Sequence, residues 1–389
     1  MRAARAGERV LLVSADQAHS TGDVLGTAIT PTGRREPAMV PLDGGLGSLD
    51  VLELDTLALL EARWREVAGI LAARFPDSEV GEIAPQELSA IPGVQEVLGL
   101  YEIAELAADG QWDRVIVDCA STADALRMLT LPSALGLYIE RAWPRHRRLV
   151  SGGHDGPSFA MVALIERIAG AADELSALLT DDGVQAHLVF TAEKVVAAEA
   201  LRTLGSLQLL GVRIAELIVN QVLVQDDSFE YQNLPAHPAL DWYIGRIEEQ
   251  RGVLADIHSA VGETDLVLVP HLPGEPIGVA ALGDLLDAAQ SRMPAPNAAS
   301  ALAAPEVRVD RESGRGLDAV YRMRVELPHI DAASLTLGRV DDDLIIGFGS
   351  TRRRISLASV LRRCVVTGAQ LDGNELTVRF RPDPEVWRQ

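Results

Sequence analysis

Two acidic residues in this chain stand directly after apolar runs, where a strand end can deliver a carboxylate to a ligand. In Arg9-Val-Leu-Leu-Val-Ser-Ala-Asp16, Val10 to Val13 read as a strand covered on both faces of a parallel sheet, and Asp16 opens a polar loop. Arg114-Val-Ile-Val-Asp118 repeats the pattern and leads into the polar stretch Cys119 to Asp124. Ligands of open α/β sheets bind beyond the carboxyl ends of the strands. Two carboxylates there suit a magnesium-nucleotide site, one near the metal and one near the attacking water.

Asp16-Gln-Ala-His-Ser20 resembles the Asp-Pro-Ala-His-Ser switch I of the arsenical-pump (ArsA-like) ATPase family, which includes the ATPases that target tail-anchored membrane proteins. Asp118-Cys-Ala-Ser-Thr-Ala-Asp-Ala-Leu-Arg127 is similar to that family's switch II, and Glu87-Leu-Ser-Ala-Ile-Pro-Gly-Val94 to a segment ahead of it. Ile218-Val-Asn220-Gln221-Val222 resembles the family's adenine-side strand end, and Pro270 to Gly278 its nucleotide-covering loop. The five segments follow the family's order.

The family's phosphate-binding loop, a glycine-rich turn ending in Lys-Ser or Lys-Thr, has no counterpart in these residues. The single lysine, Lys194, lies in Thr-Ala-Glu-Lys-Val-Val with no glycine nearby, and fifteen residues precede Asp16. Met1 to Arg9 reads as the end of the helix that would follow such a loop, with Gly7 closing it. Two expectations stay open: the true start lies upstream, or the protein has shed its loop and become a nonhydrolysing relative.

The resemblance implies ATP and magnesium as cofactors. Asp118 would hold a magnesium-bound water and Asp16 would orient the attacking water across a dimer interface. Asn220 would read adenine through its amide, and His271, Leu272 and Pro273 would cover the base. A protein client or membrane partner, and a homodimer or a heterodimer with a paralogue, belong to the same implication. The motifs also depart from the family: Gln17 and Ser121 stand for prolines, Cys119 for Thr, and Ala123-Asp124 for Gly-His. The alternative is a scaffold without hydrolysis that binds a partner protein.

Formal charge is −21, from 35 basic and 56 acidic residues, which disfavours nucleic acid and anionic membranes as primary partners. From residue 305 on the balance is 14 basic to 13 acidic, so the acidity belongs to the part before it. Two cysteines far apart in sequence do not make a disulfide framework and fit a reducing cytoplasm. No run reaches the length of a membrane span.

Strands and helices alternate up to residue 293, predicting an α/β domain with a doubly wound, mostly parallel sheet of the P-loop NTPase type. Residues 27–48 read as loop, and apolar steps of three and four from Ser48 predict helix. A helical insertion is expected over about 48–110 and 140–180, with one helix near Val94 to Ala108. Thr191 is the expected cap of the helix that follows His187 to Thr191. Residues 294–305 read as a linker and 306–389 as a small antiparallel β-sandwich, with turns at Asp341 to Asp343 and Asp372-Gly-Asn374. The stretch Asn374 to Arg381 resembles the end of the small-heat-shock (α-crystallin-type) domain.

Overall fold

The computed structural model describes residues 1–33, 35–42, 47–74, 93–144, 157–223, 235–262, 266–291, 307–327, 330 and 332–387. The Glu87 to Pro92 part of the pre-switch segment, the stretch 145–156 and the linker 294–305 lie outside those residues. The chain forms two compact units, residues 1–181 with 274–287, and residues 182–273 with 288–389.

In the first unit the chain runs through α1 (Arg2–Arg5), β1 (Arg9–Ser14), α2 (Thr21–Leu25), β2 (Ala38–Val40), β3 (Ser48–Glu53) and α3 (Thr56–Arg74). It continues through α4 (Val94–Ala108), β4 (Arg114–Asp118), α5 (Thr122–Ala142) and α6 (Pro157–Leu178). Its sheet has the order β2-β3-β1-β4, with β1 parallel to both β3 and β4 and β2 antiparallel. Strand β1 is central, and Val10, Leu11 and Val13 are fully buried, as its apolar run predicts. Leu11, Val13 and Leu52 pack with Ile103 and Leu106 of α4 on one face, while Val10, Leu49 and Val51 pack with Ala4 and Leu25 on the other.

Residues 48–53 are a strand and not the start of the helical insertion. Leu49, Val51 and Leu52 are buried between layers on both faces, so three-and-four spacing there coincides with a doubly covered strand. The helix begins at Thr56. Strand β2 likewise occupies part of the stretch read as loop.

The second unit contains β5 (Gln185–Thr191), α7 (Lys194–Leu210), β6 (Arg213–Val222), α8 (Pro238–Val261) and β7 (Leu266–Pro270). Helix α9 (Val279–Ala288) returns largely to the first unit, where Val279 and Leu282 pack on the Ala4 cluster. The two-residue β8 (Gln290–Ser291) completes a sheet of order β5-β6-β7-β8 with a parallel core. The cap of α7 is Glu193, held by Arg246 of α8 at 2.6 Å, and Thr191 instead ends β5. The apolar strand starts at Gln185 and the next runs two residues past Asn220. The α/β class with parallel sheets is as the sequence predicts.

Both sheets end on an open strand. Among the described residues β4 pairs with β1 alone and β5 with β6 alone, leaving Ile116 40% and Val189 57% exposed.

The C-terminal part is a sandwich of two antiparallel sheets. One has the order β14-β15-β10-β9, from β9 (Val307–Ser313), β10 (Val320–Glu326), β14 (Cys364–Asp372) and β15 (Glu375–Pro382). The other is β11 (Leu335–Val340), β12 (Asp343–Phe348) and β13 (Thr351–Ser356), and α10 (Ser359–Arg362) links β13 to β14. Asp341 (φ 52°) and Gly373 (φ 56°) turn the expected hairpins. Met323, Val325, Ile346, Val378 and Phe380 form its core, and Leu209 from the end of α7 is buried in the same cluster. The sandwich is therefore packed on a helix of the α/β part.

Glu102 of α4 is 2% exposed, yet it accepts hydrogen bonds from Arg35 and from Arg63 Nη2 at 2.8 Å. Burial pushes its carboxyl up, and the two guanidiniums more than reverse this, leaving it below the usual carboxylate range. A depressed folded value stabilises above the unfolded one and is lost as pH falls through it. Glu102→Gln is expected to be destabilising at neutral pH, by about 2–3 kcal/mol in urea unfolding, because both guanidiniums lose their buried counter-charge. The difference from the unsubstituted protein should shrink to nothing as pH falls below the folded value. Leu209→Ala should cost about 3 kcal/mol, and hydrogen exchange should show the end of α7 and strands β12 and β13 loosening together.

Candidate functional site

The parallel register sets the site. Ser14 of β1 lies opposite Glu53 of β3 on one side and Asp118 of β4 on the other, so three polar residues form a row at the carboxyl ends of adjacent strands. Residues paired in this way point to the same face of a sheet. Ser14 and Glu53 are each 1% exposed. The Glu53 carboxylate accepts the Gly22 N–H at 2.9 Å, fixing the entry to α2.

Asp16 follows β1 by two residues. Its Oδ1 accepts the Ala18 N–H at 3.0 Å in an Asx turn, and its own N–H donates to Ser14 Oγ at 3.3 Å. His19 has a φ of 50°, and its Nδ1 is buried with no partner among the described residues. The loop thus carries backbone strain of the kind that surrounding structure must impose.

Burial raises the Asp118 carboxyl, the nearby Asp16 charge adds to the rise, and a hydrogen bond from Ser14 opposes both. The structure therefore brings the two sequence-predicted carboxylates within electrostatic reach of each other. Cys119, beside Asp118, is pushed up to about 11 by burial and by Asp118, so its thiol is not a nucleophile at neutral pH. Both cysteines are free.

The stretch after Asp118 proceeds straight into helix. Ser121 caps α5, accepting the Asp124 N–H at 3.2 Å and donating to the Asp124 carboxylate at 2.7 Å. Ala123 has the right-handed geometry of that first turn, in which a side chain causes no strain. A cavity of about 400 Å³ lies between the Asp16 loop, the start of α5 and α4, with Asp16, Glu96 and Asp124 on its rim and Leu100 and Met128 in its wall.

In the second unit, Asn220 lies near the end of β6 and its Oδ1 accepts the Gln221 N–H at 2.9 Å. Gln221 has a φ of 57°, and Gln250 of α8 holds this turn by accepting from Leu223 N–H at 2.8 Å and donating to the Gln221 carbonyl at 3.2 Å. His271 donates its N–H to the Val222 carbonyl at 2.9 Å, placing it and the following Leu272 and Pro273 beyond the same sheet's carboxyl edge. Asn220 and His271 thus share one sheet end, and Asp16 and Asp118 share the other unit's.

Sequence reasoning missed Ser14 and Glu53. Serine at the end of an apolar run and glutamate within an apparently helical stretch give no local signal, and only strand register aligns them with Asp118. Registered neighbours of an acidic strand end are where such a signal could be sought.

The donor set fits magnesium in part. No group of three or more His, Cys, Asp or Glu side chains among the described residues could hold a metal ion alone. One carboxylate, Asp118, is nevertheless a normal protein contribution to a magnesium ion that is otherwise held by phosphates and water. No lysine other than Lys194 exists to meet those phosphates.

A family model described as anion-transporting ATPase matches residues 1–289, and one described as the HSP20-like domain found in ArsA matches residues 318–380. Protein Rv2184c of Mycobacterium tuberculosis is 60% identical over 99% of this chain and 91% of its own length. An arsenical pump-driving ATPase of Escherichia coli is 27% identical over 74% of this chain and 45% of its own, and the ATPase get3 of Schizosaccharomyces japonicus 25% over 72% and 82%. No helix among the described residues is long and apolar enough to cross a membrane. With its motifs in order, its parallel α/β sheets and its C-terminal sandwich, the chain belongs to the ArsA anion-transporting ATPase family.

Proposed function

We propose that this protein is an ArsA-type ATPase, which couples ATP binding and hydrolysis to a conformational change delivered to a protein client or a membrane partner. The observation that carries this reading is the pair Asp16 and Asp118 at neighbouring strand ends, close enough for one charge to raise the other. Such a pair is poorly stable unless a cation comes between or beside the two carboxylates.

In this reading Asp118 holds the magnesium ion, which supplies charge neutralisation to the phosphates when bound. The Asp16 carboxylate accepts a proton from the attacking water and sets its line of approach. Asn220 meets the adenine edge, and His271, Leu272 and Pro273 lie over the base. The phosphates need backbone amides and a cation that these residues do not provide. The open edge of β4, next to Asp118, suits an added parallel strand whose following turn would bring them. Work as a homodimer, or as a heterodimer with a paralogue, fits the family's use of a water-orienting acid across an interface.

A second reading has its own support. Switch II here is a self-capped helix start with Ala123 and Asp124 in place of Gly-His, and the sequence has no glycine-rich Lys loop. On that reading the chain is a scaffold that binds a partner protein without hydrolysis.

Calorimetric titration with ATP, with and without magnesium, separates the two. The ATPase reading expects magnesium-dependent binding that Asp118→Asn weakens at least about tenfold, since the metal loses its charged ligand. It expects Asp16→Asn to leave binding in place while reducing turnover by about 10²-fold or more in any preparation that hydrolyses ATP. Absence of binding at millimolar magnesium-ATP would remove the ATPase reading for this chain and leave the scaffold.

A further inference from the structure

Strand β6 carries one residue more than its neighbour just where Asn220 stands. Val219 pairs with Leu268 of β7 and Val222 with Pro270, so Asn220 and Gln221 together face the single Val269. Leu217, Val219 and Val222 are all buried, and the extra residue is what returns Val222 to the face of the other two. The result is a β-bulge with Gln221 in left-handed backbone at a φ of 57°. Glycine normally takes such a position, because a side chain there is strained.

Four backbone groups around the bulge are bonded one by one. The Gln221 N–H donates to Asn220 Oδ1 at 2.9 Å, and the Val222 carbonyl accepts the His271 N–H at 2.9 Å. The Gln221 carbonyl and the Leu223 N–H both go to one side chain, Gln250 of α8, at 3.2 and 2.8 Å. Gln250 is 5% exposed. A buried amide is costly unless both its ends are bonded, and here both ends serve the turn that carries Asn220. The helix itself is held one turn earlier, where Arg246 reaches Glu193 at 2.6 Å.

We propose that Gln250 is a positioning residue that holds this bulge and so sets where Asn220 lies, an inference that rests on reading Asn220 as the contact to adenine. Its amide keeps Gln221 in a conformation that glutamine does not choose by itself, and bulges of this kind re-aim the side chain beside them.

Hydrogen exchange of the full chain without nucleotide, resolved to single amides, tests the clamp. Gln250→Leu is expected to speed exchange at Leu223, which loses its acceptor, about three- to tenfold. Exchange at Gln221 should rise by a similar factor, although that N–H is bonded to Asn220 and not to Gln250. Adding Gln221→Gly should restore protection at residue 221, because glycine takes this backbone conformation without strain. A change confined to Leu223, or no rescue by glycine, would overturn the proposal. The consequence for the base is read by calorimetry as the ratio of ATP to inosine triphosphate affinity, since the two differ in a group that an amide can read. The ratio should fall about fivefold or more in Gln250→Leu and recover with Gln221→Gly. A residue that served stability alone would lower both affinities together. Gln221→Val alters only an exposed side chain and disfavours the left-handed backbone, so it should lower the ratio even where a change at the buried Gln250 impairs folding. An unchanged ratio in a chain that binds ATP would overturn the role at the base. Failure to bind either triphosphate would remove the reading of Asn220, and the exchange pattern would still decide whether Gln250 holds the bulge.

Discussion

The register of β1 against β3 and β4 is the constraint on which the rest of the first unit depends. Val10, Leu11 and Val13 fill the layers on both faces and leave that strand one way to lie. A shift by one residue would turn each of them to the opposite layer. The same register aligns Glu53, Ser14 and Asp118 at the strand ends, so the packing of aliphatic side chains determines where the polar row falls. Hydrophobic burial here acts as the ruler for the chemistry. It also explains how Glu53 and Ser14 can be so deeply buried: each finds its partner in the loop directly above it, Gly22 for Glu53 and Asp16 for Ser14.

Much of the fold was legible because long elements repeat their signal. The helix near Val94 to Ala108, the strand at Leu266 and the hairpins at Asp341 and Gly373 lie where spacing and turn chemistry predict. The failures have physical causes. In Ser48 to Glu53, three buried aliphatics on both faces of a strand mimic helical spacing over so short a run. At α7 the strand takes Thr191 as its last residue, and the hydrogen bond from Arg246, distant in sequence, accompanies a start at Glu193. For the site, strand-end acids announce themselves, whereas Ser14 and Glu53 acquire meaning only from neighbours 39 positions apart in the chain. The sequence carries the candidate ligands and hides the residues that aim them.

Membership of the ArsA family joins two parts of different polymer physics, a parallel α/β sheet built from long-range crossovers and an antiparallel sandwich of short hairpins. Leu209 is what makes them one object within the second unit. It ends the helix that follows β5, and it is buried among Met323, Ile346 and Phe380. A displacement of α7 would have to drag the sandwich or open its core, and cores resist opening because every lost contact leaves a void. The sandwich is thus mechanically continuous with the sheet whose ends carry Asn220 and His271, whatever lies in the linker sequence.

The two sheet edges that stay unpaired among the described residues give a reason to look beyond an inert scaffold. An edge strand is normally blunted by charge, proline or a bulge, because its free amides and carbonyls recruit other strands. Strand β4 has its charges only at its two ends, Arg114 and Asp118, and between them Val115, Ile116 and Val117 are aliphatic. Strand β5 similarly exposes Val189. The composition of β4 is that of an interior strand. A protein that kept such edges bare would carry a standing aggregation hazard, and solvent would reach Asp118 and lower the local field that makes a carboxylate pair useful. Covering the edge of β4 removes both problems at once. It would shield the Asp16 and Asp118 pair from water and, on the proposed reading, bring backbone amides beside Asp118.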